Sequence, residues 1–292
     1  MGSAVASTAA AAARAWPRRR AVDVIARGAC VAATLLAIVP LASVLFFVAA
    51  RGLGSVSWSF FTELPKPVGE EGGGMGNALL GTGILVAIAC AIGIPFGVLA
   101  GIYLAEFGEG RFARVVRFSA DVLSGVPSIA VGIFVYILIV LWTRSFSAIA
   151  GGVALGILML PTVTRTSEEL LRLVPSSLRE AALALGVPKW RAIPRIVLRT
   201  ALPGIATGVM LAVARVAGET APLLFTAFNN RFWSANLGQP IGSLPVQIYT
   251  YAVSPFDDSH RQAWAAALVL VALVLVLNVA ARLLVRGRGE AR

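Results

Sequence analysis

RTSEELLRLVPSSLREAALALGVPKWRAIPRIVLRTALP, Arg165–Pro203, stands between two long apolar runs and holds seven basic and three acidic residues. Its reading decides the fold, because it is a water-facing stretch with a helix of its own between segments that lipid must solvate. Ser177-Leu178-Arg179-Glu180 fits a capping box, in which the serine oxygen and the N3 carboxylate satisfy each other's free backbone N–H groups. Leu178, Ala181, Ala182 and Leu185 follow at i, i+3, i+4 and i+7, one face of a helix. Gly186 suits the position after the C-cap, and Pro188 forbids resumption. The pattern predicts a short helix over Leu178 to Leu185. Such a helix is marginal alone and needs a partner, either the membrane bundle or another protein.

Outward from this stretch the chain is apolar. Hydrophobic residues make up 58% of the 292 and charged residues 13%, against roughly 25% charged in a soluble domain. Mean hydropathy is +0.84. A hydrocarbon core about 30 Å thick asks for ~20 apolar residues per helix, and six runs qualify. They are Ala21–Ala50, Met75–Ala105, Phe118–Trp142, Phe146–Val163, Pro203–Phe228 and Gln262–Val285. The expected fold is all-α and polytopic, with six transmembrane helices. No A-x-A cleavage site follows the first run, which is therefore expected to stay as a span.

Charge placement sets the orientation. With the N-terminus inside, nineteen of the 25 Lys and Arg residues fall on inner segments, among them Arg14, Arg18, Arg19, Arg282, Arg286, Arg288 and Arg292. Five fall outside, and Arg215 is left within a span. Both termini are therefore expected in the cytoplasm. The net charge of +11 is spread along one membrane face rather than gathered on a domain, which excludes nucleic-acid binding. The expected organisation is a cytoplasmic tail (1–20), a first transmembrane helix (21–50), an outer loop (51–74), a permease core (75–285) and a cytoplasmic tail (286–292). A cytoplasmic coupling segment, 166–202, lies within the core.

The fifth run contains RVAGETAPLLFTA, Arg215–Ala227. Arg215 lies twelve residues past Pro203, about 18 Å into the bilayer, where a charge costs at least ~3 kcal/mol. Arg215 and Glu219 are i, i+4 and are expected to share a helix face and pair. A purely structural pair seldom repays its desolvation, whereas intramembrane charge marks a pathway. Gly218 and Pro222 predict a kink at this turn, and Thr220 and Thr226 add hydroxyls. Arginine's planar fork suits a tetrahedral oxyanion. The expected switch is that Glu219 holds Arg215 until the anion competes for it.

A second basic candidate is Arg165, in LPTVTRTSEE at the inner end of the fourth run. It reads either as a positive-inside anchor or as the inner exit of an anion path. In DVLSGVPSIAVG, Asp121–Gly132, Pro127 predicts a kink that leaves Ser124 and Ser128 beside free N–H groups able to face an anion. Trp58, Trp233, Tyr249 and Tyr251 in the outer loops read as an interfacial belt or as a docking surface.

Glu180-Ala181-Ala182, three residues, then Gly186 resembles the EAA loop of ATP-binding-cassette importer permeases. That family implies the type I importer permease fold, with this short helix docking in a cleft of a separate ATPase. Where the family motif continues as Ile-x-Leu-Pro, Ile196-Val197-Leu198 match but Arg199 replaces the proline. Together with RVAGETAPLLFTA, PTVTRTSEE and DVLSGVPSIAVGIFVY, the motif is similar to the phosphate-specific permeases, most closely their A-type subunit. The resemblance runs from about Gly72 to the end of the sixth run. It implies an inner-membrane subunit of an ATP-driven phosphate importer in a bacterium, with Arg215, Glu219 and Arg165 taking part in transport. It also implies a C-type permease partner, two ATPase subunits and an extracytoplasmic phosphate-binding protein.

The chain has no G-x-x-x-x-G-K-[ST] loop. It is therefore expected to be no enzyme and to carry no cofactor, with ATP and Mg bound by the ATPase partner. Rival readings are a permease for another oxyanion such as sulfate or molybdate, a scaffold that signals phosphate status, and a secondary transporter.

Overall fold

The computed structural model describes residues 2–67 and 69–289, and the side chains of residues 20, 22–67, 69–279 and 283. Arg14, Arg18, Arg19, Arg282, Arg286, Arg288 and Arg292, which carry part of the charge bias, lie outside the described side chains. Every regular element among the described residues is helical. The chain divides into two compact units, residues 1–50 and 51–292. The first is a single helix, α1, which runs without a break over Gly2–Gly52 and includes the expected tail.

The second unit begins with a short helix, α2 (Trp58–Thr62), capped by the Ser57 side chain. Two long helices then form its centre, α3 (Gly76–Glu106) and α7 (Ala148–Arg172). Between them come α4 (Arg111–Gly125), α5 (Ser128–Val135) and α6 (Leu141–Thr143), the last two joined by a π turn over Tyr136–Val140. After α7 follow α8 (Ser176–Ala184), α9 (Lys189–Ala192), a π turn over Ile193–Val197 and α10 (Leu198–Ala217). Last are α11 (Ala221–Thr226), α12 (Leu244–Ala252) and α13 (Asp257–Gly289).

Glycine spacing makes the centre. A Cβ on Gly93, Gly97 or Gly101 of α3 would meet Met159, Val163 or Ser167 of α7 at 2.9, 2.7 and 2.4 Å. Both series rise together, so the two helices run parallel with backbones in close approach. Gly204 of α10 faces Leu170 and Gly208 faces Thr166, so α10 runs antiparallel to α7. Leu85, Leu155, Met159, Val163, Ala212, Val213 and Val216 fill the core between the three.

Among the described residues, five helices are long and apolar enough to cross a membrane, and a sixth span results if α4 and the α5–α6 pair count as one. That span, expected as Phe118–Trp142, is bent by 106° at Val126–Pro127. Pro127 disfavours helical backbone at Val126 and cannot donate, so α4 stops there.

Three boundaries differ from expectation. The fourth span does not end at Val163 but continues to Arg172, because partners described below take up its charged residues. The fifth begins at Lys189, not Pro203, since Pro194 and Pro203 sit at a π turn and inside α10 without ending the helix. It ends at Ala217 rather than Phe228, and α11 is a separate short helix.

Candidate functional site

The turn at Gly218 governs the mid-depth site. The ladder of α10 closes with Gly218 and Glu219 donating to Arg215 and Val216 carbonyls at 3.2 Å, and the chain restarts at Ala221 with Pro222 in the first turn. Gly208 lies against Thr166, so Arg215, about 10 Å further along α10, reaches the level of Met159, midway along α7.

Arg215 and Glu219 do not form the expected ion pair. The i, i+4 relation holds only on a continuous helix, and this one ends between the two residues. Arg215 is exposed on the surface of the chain, in line with Thr207 and Leu211 on an uncovered stripe of α10, whereas Glu219 and Thr220 are half-buried. Thr226 is buried, and its hydroxyl donates to the Pro222 carbonyl at 2.7 Å.

A second broken helix starts beside this turn. A Cβ on Gly132 of α5 would stand 2.6 Å from the Pro222 Cα, so α5 and α11 are packed backbone to backbone. Both run toward Ser147, whose N–H donates to the Thr226 carbonyl at 3.0 Å. The breaks at Pro127 and at Gly218–Thr220 therefore lie at comparable depth. Ser128 opens α5 and is half-buried. Ser124 instead turns back on its own helix, its hydroxyl donating to Ala120 O at 2.9 Å.

Arg165 lies six residues past Met159 on α7, about 9 Å further along the axis. Its guanidinium is paired within the chain. Its Nε donates to Asp121 Oδ1 at 2.9 Å and its Nη2 to Oδ2 at 2.6 Å. Its Nη1 is 3.5 Å from Glu168 Oε2. Glu168 is a buried hub, 2% exposed. Its Oε1 also accepts from Arg117 Nε at 2.6 Å and pairs with Arg172 Nη2 at 2.8 Å. The Arg117 guanidinium further donates to Leu104 O in the last turn of α3 and to Gly108 O just past its end. One carboxylate thus ties α4 and α7 and, through Arg117, α3.

Past the C-terminal end of α7, α8 forms but not by the expected capping box. The helix begins at Ser176 with Pro175 as N-cap and no side-chain cap. Pro175 already has the extended backbone of a cap, which moves the start one residue ahead of Ser177. Arg179, instead of facing water within the box, donates to Glu106 at 2.7 and 3.0 Å and to Val174 O and Leu171 O at 2.6 and 2.8 Å.

The C-terminal expectation holds. Gly186 has φ +75°, its N–H donates to Leu183 O at 2.9 Å, and Val187 N–H donates to Ala182 O at 3.0 Å, a Schellman ending. Ala182 is buried against the bundle, while Glu180, Ala181, Leu178, Leu185 and Trp190 are exposed. Only part of the expected apolar face is used within the chain, and the rest is open to a partner.

Asp121, Arg117 and Glu106 were not singled out from sequence. Asp121 carried a signal, being an ionisable residue inside the third apolar run. Nothing local marks Arg117 or Glu106, whose partners lie 51 and 73 residues away.

Residues 93–289 match the family described as binding-protein-dependent transport system inner membrane component. The chain is 47% identical over 272 residues to the phosphate transport system permease protein PstA of Yersinia pestis, covering 93% of this chain and 92% of that one. It is 49% identical over 241 residues to the PstA of Haemophilus influenzae, covering 82% and 85%. It is 41% identical over 279 residues to PstA 1 of Mycobacterium tuberculosis, covering 91% and 88%. Among solved structures it is similar to an inward-facing conformation of the MetNI methionine ABC transporter, with TM-score 0.57 and 21% identity over 72% of this chain and 92% of that one. An amino acid ABC transporter with histidines is similar at TM-score 0.51 and 15% identity, over 75% and 93%. These two structures bear on the fold alone.

Proposed function

The chain belongs to the family of binding-protein-dependent transport system inner membrane components, and from that premise we propose that it is the A-type membrane subunit of an ATP-driven phosphate importer. It is a transport permease, not an enzyme, and ATP is hydrolysed by a separate subunit. In this reading a C-type permease covers the exposed stripe of α10, two ATPase subunits bind at α8, and an extracytoplasmic phosphate-binding protein delivers the anion. Both termini face the cytoplasm of the bacterial cell, as the basic residues of the inner segments favour.

The observation that carries the reading is Arg215, an exposed guanidinium without an ion pair among the described residues, at mid-depth beside two broken helices. A bare cation there is unfavourable unless an anion or a partner subunit meets it. Its fork matches two oxygens of a phosphate. Glu219 and Thr220 flank the position, Ser128 and Ser124 stand at the neighbouring break, and Arg165 stands further inward. Glu180, Ala181, Ala182 and Gly186 form the ATPase-facing helix, which Arg179 links to α3. A movement of α8 is thereby passed to the helices that hold the path.

The test is co-purification followed by reconstitution. The chain is expected to bring down a second, non-identical permease and an ATPase dimer. Liposomes holding that complex and supplied with binding protein are expected to take up labelled phosphate with ATP, unaffected by excess sulfate. Uptake blocked by sulfate or molybdate would assign another oxyanion, and uptake without ATP would remove the reading.

A further inference from the structure

We infer that Asp121 is an intrachain competitor for the anion at Arg165, a carboxylate that reclaims the guanidinium and so drives phosphate off toward the ATPase side. The inference rests on the proposed phosphate path and names a residue that neither the sequence pattern nor the family match assigns.

Asp121 occupies one whole edge of the Arg165 fork, with Nε to Oδ1 at 2.9 Å and Nη2 to Oδ2 at 2.6 Å. A phosphate would use the same two donors, because carboxylate and phosphate both present a pair of oxygens to the guanidinium. The two ligands exclude each other.

The remaining nitrogen of Arg165 faces a different kind of group. Glu168 is buried, and its Oε1 is held by Arg117 and Arg172. Its Oε2 has no hydrogen-bond partner and stands 3.5 Å from Arg165 Nη1. Glu168 therefore anchors the guanidinium from behind, whichever anion sits in front.

The exposures of the two acidic side chains separate their roles. Glu168 is 3% exposed and Asp121 is 54% exposed. An ion pair that open to water exchanges easily. Asp121 can leave without α4 moving, because Arg117, one turn earlier, holds that helix to Glu168, Leu104 O and Gly108 O. Asp121 is also one turn from the 106° break at Val126–Pro127, so its helix ends beside the path.

Arg165 lies between the level of Arg215 and the ATPase-facing helix α8, so an anion moving inward meets it late. A cation that late in the path would retain phosphate and let internal phosphate rebind. A tethered carboxylate returning to the fork removes that hazard.

The experiment uses the whole importer in liposomes loaded with ATP and increasing inorganic phosphate, with uptake of labelled phosphate as the readout. For Asp121→Asn, uptake into phosphate-free vesicles is expected to fall by no more than about threefold to fivefold, because phosphate leaves Arg165 more slowly once the competing carboxylate is gone. The internal phosphate concentration that halves uptake is expected to fall about threefold to fivefold, the scale of an exposed ion pair. Asp121→Glu is expected to keep wild-type behaviour, and Arg165→Gln combined with Asp121→Asn to lose the added sensitivity. Equal sensitivity of Asp121→Asn and wild type overturns the inference, as does a sensitivity that persists in the double variant. An Asp121→Asn complex that assembles but transports nothing into phosphate-free vesicles overturns it too. A wild-type complex that takes up no phosphate refutes the proposed function, and this inference with it.

Discussion

Arg179 of the short helix α8 is bonded to Glu106 in the last turn of α3, with Nη2 and Nε both reaching one carboxylate oxygen at 2.7 and 3.0 Å. The pair is largely buried, 26% and 10% exposed, and the same guanidinium accepts no substitute easily because it also donates to two backbone carbonyls. Arg179→Ala would leave Glu106 and the Val174 carbonyl without these donors, while Leu171 O keeps the Val174 N–H, at a cost of about 1–3 kcal/mol. The complex is expected to assemble and hydrolyse ATP while phosphate uptake per ATP falls. Arg179→Lys, which keeps the charge but not the fork, is expected to recover only part. Uptake and hydrolysis measured on one preparation decide it, and an unchanged ratio would remove the coupling role.

Arg215→Gln is expected to lower phosphate uptake about tenfold or more, the loss of one charge-assisted contact to the anion, with membrane assembly intact. Since Arg215 and Glu219 are not paired, exchanging them should not help. The double variant Arg215→Glu with Glu219→Arg is expected to remain inactive in the uptake assay, and recovery there would restore the ion-pair reading.

Gly101→Val is expected to destabilise the α3–α7 contact by about 1–3 kcal/mol, the usual penalty of overpacking. A Cβ at that position meets the Ser167 Cβ at 2.4 Å. Gly83→Ala on the same helix meets nothing within 4 Å and is expected to be silent. Thermal unfolding of the purified complex in detergent separates the two, and equal midpoints would refute the packing account.

Gly186→Ala forces an L side chain into a left-handed backbone, φ +75°, at a cost of about 1 kcal/mol. The end of α8 is expected to fray and the ATPase to bind more weakly. Gly186→Asn, which tolerates that conformation better, is expected to fall between. Titration of the membrane subunits with the ATPase reads the order, and a Gly186→Ala affinity equal to wild type would exclude a docking role for this ending.

Several features could be read directly from local chemistry. Pro127 and the Gly218–Pro222 pair break their helices as their missing N–H and missing Cβ lead one to expect, whereas Pro203 is accommodated inside α10. Gly186 ends α8 for the same reason, and apolar length together with basic residues sets the spans and their proposed orientation. The expected depth of Arg215 was counted from Pro203, which is not where the span begins; its level midway along α7 follows instead from Gly208 lying against Thr166. Where sequence reading failed, it had assumed continuity or nearness. The Arg215–Glu219 pairing needed an unbroken turn that Gly218 denies, and the Ser177 capping box yielded to Pro175 two residues earlier.

Choice of partner belonged to the tertiary structure. Arg165 takes Asp121 and Arg179 takes Glu106, across 44 and 73 residues of chain. Those distances close only because the glycines of α3 let α7 approach in one register, which brings Leu104, Glu168 and Arg117 together. A residue type carries its charge and its reach from the sequence. Which counter-charge it meets depends on how whole helices pack, and that is a sum of many weak contacts with no local signature.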